Sequence, residues 1–361
     1  RAASNALQLQ VNSPVFSTVM EGVAGGAPLH DISNKTSLIA TFPDKGSHGS
    51  QSLSQYPANV RITRQAAARH RALQQQLQLQ HTESMAVEAV SNLDSLDARD
   101  SQQCHHYVVD IFSYLRELEL EHRVSPHFMQ GQRDINATMR SILVDWLVEV
   151  AEEYRLVPET LYLAVNYIDR FLAHVPVNRS KLQLVGVTCM LIASKYEEIH
   201  PPAVDEFVYI SDNTYKREEI LHMEGMILNR LKFELSAATV KVFLNRFLKA
   251  AKVGECDQTT EKLCEYLCEL TLQEYSFIKY RPSEIAAAAL RLALHTMRLP
   301  SWSPLLQDVS GYPSEKLQNC VAEMFSLFRK AESNNLQAVR EKYSHAKFLC
   351  VSTLTPPETL V

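Results

Sequence analysis

The chain has 361 residues, of which 46% are hydrophobic and 21% charged, an ordinary composition for a globular protein with two or three domains and a sizeable core. A net charge of −5 argues against the basic face that nucleic acid or an anionic membrane requires. No apolar run reaches the length of a membrane span, so we expect neither a membrane nor direct nucleic acid as a partner.

Cysteine usage indicates an intracellular protein. The seven cysteines are odd in number and most stand inside apolar helical patterns, which predicts free thiols in a reducing compartment. Cys264 and Cys268 lie one helical turn apart, and Cys104-His105-His106 groups possible ligands. Neither set has a second pair at zinc spacing, so we predict no metal site and no cofactor.

Residues 1–103 are rich in Gly, Ser, Gln and Asn and show little sustained periodicity, which predicts a largely disordered regulatory region. From Tyr107 the apolar residues recur at intervals of three and four, through Val108, Ile111 and Leu115. This spacing predicts an amphipathic helix that ends near Glu121. Residues 104–136 are therefore assigned to an N-terminal helix and a linker.

Almost everything after this linker has a helical period, and prolines punctuate the gaps. The chain is therefore predicted to be all-α. The predicted helices are 137–154, 159–174, 180–197, 203–210, 217–231, 237–250, 259–273, 283–298, 303–309 and 314–331.

Two of these helices suggest a tandem arrangement. The segment 180–197 is apolar nearly all round, which predicts a central helix, and the segment from Ser283 to Leu294 repeats that character about a hundred residues later. Ser180 and Ser283 are each predicted to cap their helix. The spacing favours two five-helix units, 137–235 and 236–335, followed by a tail at 336–361. Chance similarity between amphipathic helices remains the alternative.

The helix that begins near Met139 has a charge within its apolar arc. Arg140 falls near the middle of that arc, where an unpaired guanidinium costs several kcal/mol to desolvate. The chain should therefore supply a buried acid, and Asp169 on the next predicted helix is the nearest candidate. A structural ion pair with no further role is the favoured reading.

The same helix has more apolar surface than one core contact uses. The residues Met139, Leu143, Trp146, Leu147 and Val150 cover, with their neighbours, about half of the circumference of a helix at about 100° per residue. Such a helix packs on a core and can also offer an exposed groove to a partner. From the residues alone, most of this stripe is assigned to the core.

Four motifs in this order and spacing resemble the first cyclin box of A-type cyclins, and the similarity continues from about Tyr107 to the end of the chain. The motifs are Met139-Arg140-Ser141-Ile142-Leu143-Val144-Asp145-Trp146, Leu161 to Leu172 with Tyr167-Ile168-Asp169-Arg170-Phe171, Lys181 to Gly186, and Ala193-Ser194-Lys195-Tyr196-Glu197-Glu198-Ile199. The resemblance implies two stacked cyclin folds after an N-terminal helix. It also implies a regulatory subunit that activates a cyclin-dependent serine/threonine kinase during S phase and G2/M, located in the nucleus with a cytoplasmic pool.

The resemblance assigns a kinase-binding role to two charged residues, Lys195 and Glu224. By themselves they would be a solvated helix end and a surface acid. A charged pair fixes the orientation of a complex while its apolar centre supplies affinity. The apolar contacts implied by the resemblance are Leu228, Phe233, Leu235, Tyr107, Ile111 and Tyr114.

The resemblance also gives the surplus apolar stripe a use, as a docking groove for short cation-x-leucine peptides of substrates and inhibitors. Glu149 is expected to meet the cation of such a peptide. Docking at a second site raises the effective concentration of a substrate at the kinase. The other implied groove residues are Met139, Ile142, Leu143, Trp146, Leu182 and Gln183.

Destruction signals of this family, which imply ubiquitin-ligase machinery as a partner, begin with Arg-x-x-Leu. Here Leu29-His30-Asp31-Ile32-Ser33-Asn34 has the tail of the pattern, but Gly26 stands where the arginine belongs. Minimal proline-directed phosphorylation sites occur at four dipeptides, most of which are expected to be turns. These dipeptides are Ser13-Pro14, Ser125-Pro126, Ser303-Pro304 and Thr355-Pro356.

Catalysis is not expected. Phosphoryl transfer needs a glycine-rich loop, a phosphate-binding lysine and acids for magnesium, and the sequence has no Gly-rich loop ahead of a lysine strand, no His-Arg-Asp and no Asp-Phe-Gly. A transcription-factor-type adaptor with the same fold would show basic stripes, which the acidic balance disfavours. A helical hydrolase with scattered catalytic groups is a third reading, which an assay of the isolated chain would exclude.

Overall fold

The computed structural model describes residues 93–95, 100, 103–252, 256–300 and 302–360. Within these ranges the regular secondary structure is helical throughout, as the sequence predicts. The α-helices are α1 Val108–Glu121, α2 Ala137–Glu153, α3 Pro158–Leu172, α4 Arg179–Glu197, α5 Val204–Ile210, α6 Arg217–Arg230, α7 Val240–Lys252, α8 Gln258–Gln273, α9 Pro282–Thr296, α10 Pro304–Ser310, α11 Gln318–Lys330 and α12 Ala338–Ser344.

Helices α2 to α6 form the first repeat around α4. The side chains of α4 are buried from Leu184 to Ser194, which is why this segment is apolar on every side. Gly186 lets α2 approach, because a Cβ there would lie 2.6 Å from Cδ1 of the buried Leu143. The predicted cap is wrong, since Asn178 is the N-cap of α4 and Ser180 lies in its first turn.

Helices α7 to α11 form the second repeat around α9, which packs against α7, α8 and α11. Its residues from Ala286 to Leu290 are fully buried. Ser283 is not the N-cap here either, because α9 begins at Pro282 and Arg281 precedes it. The helix predicted at 314–331 is split into a 3₁₀ turn, Ser314–Leu317, and α11.

The chain after α11 returns to the first repeat. Helix α12 packs against both α2 and α8, so it touches one helix of each repeat. The Lys342 Nζ donates to both carboxylate oxygens of Glu269 at 2.9 Å, and the Tyr343 hydroxyl donates to the same carboxylate at 2.7 Å. The predicted tail is therefore part of the folded body.

Arg116 holds α1 on the second repeat. Its guanidinium lies over the rings of Phe243 and Tyr312, at 5.2 Å and 5.1 Å from their centroids, and donates to the Ser283 hydroxyl at 2.8 Å. The buried carboxylate of Glu119 accepts from the Ser283 backbone N–H at 3.0 Å. The N-terminal helix therefore belongs to the same packed unit as the repeats.

One segment corrects the boundary of the predicted disordered region. Leu93 and Asp94 are helical and buried, with exposed fractions of 3% and 6%. Asp94 accepts two hydrogen bonds from the Arg246 guanidinium of α7, one of them at 2.9 Å. The predicted destruction signal near Leu29 and the dipeptide at Ser13 lie outside the described residues.

The described helices include none with the length and apolar character needed to cross a membrane. All seven cysteines are free thiols. Within the described ranges, no group of three or more His, Cys, Asp or Glu side chains is arranged to hold a metal ion.

Candidate functional site

The charge inside the apolar face of α2 is neutralised by the expected partner. Arg140 Nε and Nη2 donate to the two carboxylate oxygens of Asp169 at 2.6 Å and 2.7 Å. The third contact comes from the other repeat, because Arg140 Nη1 donates to the Leu272 carbonyl at 2.9 Å. The ion pair therefore fastens the end of α8 to the first repeat.

Two more polar residues of α2 continue this seam between the repeats. The Ser141 hydroxyl donates to the Gln273 carbonyl at 2.6 Å, and Asp145 accepts from the Gln273 side-chain amide at 2.5 Å. Asp145 also accepts from the Ala338 backbone N–H at 3.0 Å, where α12 begins. Burial raises the pKa of Asp145 although these hydrogen bonds oppose the shift. Sequence periodicity did not reveal these contacts.

Lys195 and Glu224 are brought together from separate helices. Lys195 is in the last turn of α4 and Glu224 in the middle of α6, and their Nζ and Oε1 atoms are 2.6 Å apart. The Lys195 side chain remains 45% exposed and that of Glu224 14%. The pair has free hydrogen-bonding capacity on its solvent side, because an ammonium has three donors and a carboxylate four acceptor positions.

An exposed aromatic side chain follows α6. Phe233 is 64% exposed and has a positive φ of 60°, as does the preceding Lys232 at 55°. Helix α3 fixes this turn, because the Tyr167 hydroxyl donates to the Leu235 carbonyl at 2.8 Å and Arg170 donates to the Glu234 carbonyl at 2.8 Å. The backbone is thus held while the ring of Phe233 projects into solvent.

The other predicted kinase contacts divide between surface and core. Tyr107 and Tyr114 are exposed, at 57% and 45%, whereas Ile111 is partly buried against the core. Leu228 and Leu235 are also partly buried and pack against the core. Ile199, just after α4, is 64% exposed although it is not among the predicted contacts.

Two acids next to Lys195 have distinct roles. Burial and the neighbouring Glu198 raise the pKa of Glu197 to about 6. Glu198 caps α3, because its Oε1 accepts from the Val157 N–H at 2.7 Å and from the Thr160 hydroxyl at 2.6 Å. The end of α4 that presents Lys195 is therefore fixed to the beginning of α3.

The predicted groove residues have unequal exposure. Ile142 is 55% exposed and Glu149 is exposed, while Met139, Trp146 and Gln183 are partly exposed. Leu143 and Leu182 are buried, at 6% and 5%, and belong to the core. Any apolar peptide surface on α2 therefore depends on Met139, Ile142 and Trp146.

The predicted kinase-binding residues thus include both charged and exposed apolar side chains. Lys195 and Glu224 form a charged pair with side chains 45% and 14% exposed, and Phe233 and Tyr107 are 64% and 57% exposed. Interfaces of this kind combine an apolar centre with charged groups that set orientation.

Comparison with known proteins gives the family. Residues 110–236 match the model of the cyclin N-terminal domain, and residues 238–357 match that of the cyclin C-terminal domain. The chain is 46% identical over 283 residues to a putative cyclin-A3-1 of Arabidopsis thaliana, covering 76% of this chain and 80% of that protein. It is 47% identical over 282 residues to cyclin-A1-1 of rice, Oryza sativa subsp. japonica, covering 76% of this chain and 55% of the relative.

A solved structure agrees with the fold. The X-ray structure of a viral cyclin from herpesvirus saimiri superposes with a TM-score of 0.54 at 23% identity, covering 60% of this chain and 96% of the viral one. The chain belongs to the cyclin family, and its curated relatives are A-type cyclins. It spans between 55% and 65% of the length of several of these relatives.

Proposed function

We propose that the chain is a noncatalytic subunit that binds and activates a cyclin-dependent serine/threonine kinase and so controls progression through S phase and G2/M. The observation that carries the proposal is the Lys195–Glu224 pair, whose Nζ and Oε1 atoms are 2.6 Å apart and whose side chains are 45% and 14% exposed. Membership of the cyclin family supports the assignment. Nuclear location, with a cytoplasmic pool, is part of the same proposal, and imaging of a tagged chain tests it.

The proposed mechanism is the stabilisation of one state of the kinase. The surface formed by α1, the end of α4 and α6 holds the mobile helix of the kinase, so that a glutamate on that helix pairs with the phosphate-binding lysine. The activation loop is then ordered for substrate binding. This subunit contributes binding energy that differs between the two states and no reacting group.

The test is the double variant Lys195→Ala/Glu224→Ala, assayed by pull-down and by histone-kinase activity. The pair is on the surface, so the fold should remain intact while kinase stimulation is abolished. The control is Lys279→Ala/Glu323→Ala, which removes another lysine–glutamate surface pair, 2.7 Å apart and with side chains 42% and 39% exposed, in the second repeat. Undiminished stimulation by the first variant would refute the assignment.

We also propose that Met139, Ile142 and Trp146 form an apolar groove for cation-x-leucine peptides of substrates and inhibitors, with Glu149 facing the cation. Their incomplete burial on one side of α2 supports this role. Leu143 and Leu182, at 6% and 5% exposed, belong to the core, so their part in the proposed groove is structural support.

The groove is tested with Met139→Ala/Trp146→Ala and a pair of substrates that differ only in the docking peptide. Phosphorylation of the docking substrate should fall severalfold while that of the simple peptide stays unchanged, since only docking contributes effective concentration. Leu143→Ala serves as a core control that lowers stability. Equal losses for both substrates would show a folding defect in place of a docking defect.

A further inference from the structure

A cavity of about 400 Å³ opens where three parts of the chain meet. The end of α2 and the start of α3 come from the first repeat, α7 and α8 from the second, and α12 with the following residues from the tail. The rings of Tyr162, Tyr343 and Phe348 form part of its lining. The residues assigned above to kinase binding and to peptide docking are not among those that line it.

The charge of the lining is unbalanced. Cationic side chains outnumber carboxylates by five to three, which leaves an excess of two positive charges in a partly enclosed space. The carboxylates are Glu152, Glu265 and Glu269. The cations are Arg155, Lys241, Lys262, Lys342 and Lys347.

One carboxylate serves two lysines on the second-repeat side. Glu265 accepts from Lys241 Nζ at 2.7 Å and from Lys262 Nζ at 2.7 Å. Burial opposes its ionisation, but these two ammonium groups outweigh burial and hold the pKa of Glu265 below its usual range. Each ammonium has two further N–H donors, so Lys241 and Lys262 can still donate hydrogen bonds to a ligand.

The tail side repeats this arrangement. Lys342 Nζ is 3.4 Å from one oxygen of Glu152, and Lys347 Nζ donates to the other at 2.5 Å. Lys347 also lies over the Phe348 ring, 4.7 Å from its centroid. Here too, a single carboxylate is shared between two cations.

Two further donors line the cavity. The side chain of Tyr162 is 4% exposed and forms part of the cavity wall. Arg155 is exposed at the rim, and it forms no ion pair within the described part of the chain. A phenol O–H and a guanidinium both donate hydrogen bonds, so this wall of the cavity offers donors to an anionic ligand.

We propose that this cavity binds a phosphate monoester, with Arg155, Lys241 and Lys262 contacting the dianion and Tyr162 donating a hydrogen bond to it. Two negative charges match the excess of two positive ones, whereas a carboxylate supplies one. Lysine and arginine are the side chains that bind phosphate in proteins, through charge-assisted hydrogen bonds.

The phosphate is carried by a protein segment, as phosphoserine or phosphothreonine. Glu152 at the cavity stands three residues after Glu149 on α2, a rise of about 4.5 Å. A protein docked along α2 therefore runs toward the cavity, and its phosphorylated residue would add a second point of attachment. This choice of source rests on the proposed groove, whereas the anion site itself does not.

The test uses the whole chain and a fluorescent phosphoserine peptide that contains no cation-x-leucine sequence. Binding is followed by fluorescence anisotropy at constant ionic strength. Arg155→Gln/Lys262→Gln should weaken binding at least tenfold, because it removes two cations while keeping polar side chains at the rim. The control Lys316→Gln/Lys330→Gln changes the net charge equally at exposed positions of the second repeat and should stay within twofold of the unmodified chain.

Three outcomes would overturn the inference. Equal binding of the unphosphorylated peptide would show that the phosphate is not recognised, and equal weakening by both variants would show only nonspecific charge attraction. Displacement of the peptide by adenosine monophosphate at lower concentrations than by phosphopeptide would refute a protein-borne source. Trp146→Ala should leave this binding unchanged, so a failure here is distinct from a failure of the proposed groove.

Discussion

The chain uses the same chemistry, a charged pair 2.6 Å apart, in two regions with opposite surroundings. Arg140 and Asp169 join α2 and α3 in the seam between the repeats, where the arginine side chain is 2% exposed. Lys195 and Glu224 join α4 and α6 at the surface, where the lysine side chain is 45% exposed. Solvation therefore decides the role of each pair.

The seam satisfies its polar groups internally. Arg140 donates through Nε, Nη1 and Nη2, and one of these bonds reaches the Leu272 carbonyl of the second repeat. The Lys195 ammonium, by contrast, is partly in solvent, and its one ion-pair partner among the described residues is Glu224. A buried pair specifies how the repeats pack, while a pair with one exposed member suits the contact with another protein that we propose.

Arg140→Ala tests whether the buried pair stabilises the fold more than an exposed pair, and it should have the largest effect on stability. The change leaves the Asp169 carboxylate and the Leu272 carbonyl without their partner, at a cost of about 3–5 kcal/mol. Urea denaturation measures the free energy of unfolding. Arg179→Ala is the control, because its pair with Asp134 is exposed and should cost at most about 1 kcal/mol. Equal losses would show that burial does not distinguish the pairs.

Asp94→Asn tests whether the ion pair between the short segment before α1 and α7 stabilises the fold as a buried pair does. The substitution keeps the shape but leaves the Arg246 guanidinium, which also lies 5.4 Å from the Phe112 ring centroid, without its carboxylate. We expect a loss of about 2 kcal/mol in the free energy of unfolding. Asp110→Asn, in the exposed first turn of α1, should change it by less than about 0.5 kcal/mol. An unchanged free energy of unfolding in Asp94→Asn would show that this pair contributes no more than an exposed pair.

Glu159→Gln tests how burial of a single carboxyl group affects the pH dependence of stability. Burial raises the pKa of Glu159 to about 7 from 4.5, while a hydrogen bond from Thr239 opposes the shift. The folded chain thus retains a proton that the unfolded chain loses, so stability falls as the pH rises from about 4.5 to about 7. The variant should match the unmodified chain near pH 4.5 and exceed it at pH 8 by on the order of 2 kcal/mol.

Thermal unfolding across this pH range measures the effect at Glu159. Glu153→Gln, an exposed position on α2, is the control and should leave the pH dependence unchanged. If the stabilities of Glu159→Gln and of the unmodified chain changed with pH in parallel, the Glu159 carboxyl would ionise in the folded chain as freely as in the unfolded one.

Phe233→Ala should have the smallest effect on stability and a large effect on the proposed binding. The ring is mostly in solvent, so the free energy of unfolding should change by less than about 0.5 kcal/mol. Kinase affinity should fall at least tenfold if the ring is a central contact. Leu349→Ala is a matched control, since Leu349 is 44% exposed and also has a positive φ, of 57°. Urea denaturation measures the stability of each variant, and calorimetric titration with the kinase measures the affinity of each variant.

Much of the fold could be read from periodicity because each helix has to bury a stripe. The order of the helices agrees with the sequence, and most bounds differ by one to three residues. The predicted caps at Ser180 and Ser283 were wrong, and for Ser283 the reason is local. A proline, as at Pro282, is preferred at the first helical position, and the residue before it then becomes the N-cap.

The candidate site divides in the same way. An arginine inside an apolar arc demands a buried acid because of desolvation, and Asp169 on the next predicted helix was the nearest candidate. The proposed roles of Lys195 and Glu224 came from resemblance, because an exposed charge carries no local signal of its partner. The exposure of Ile199 could not be predicted, since a single apolar residue in a sequence does not show whether it joins the core or the surface.

The sequence by itself determined which segments are helical, which faces are apolar and that Arg140 needs a buried partner, since these depend on residues within one or two turns of each other. That the Leu272 carbonyl completes the Arg140 site follows only from the packing of the two repeats. The same packing brings cations from the turn after α2, from α7, from α8 and from the tail into one cavity. Residues about a hundred positions apart become neighbours through packing, which local periodicity does not encode.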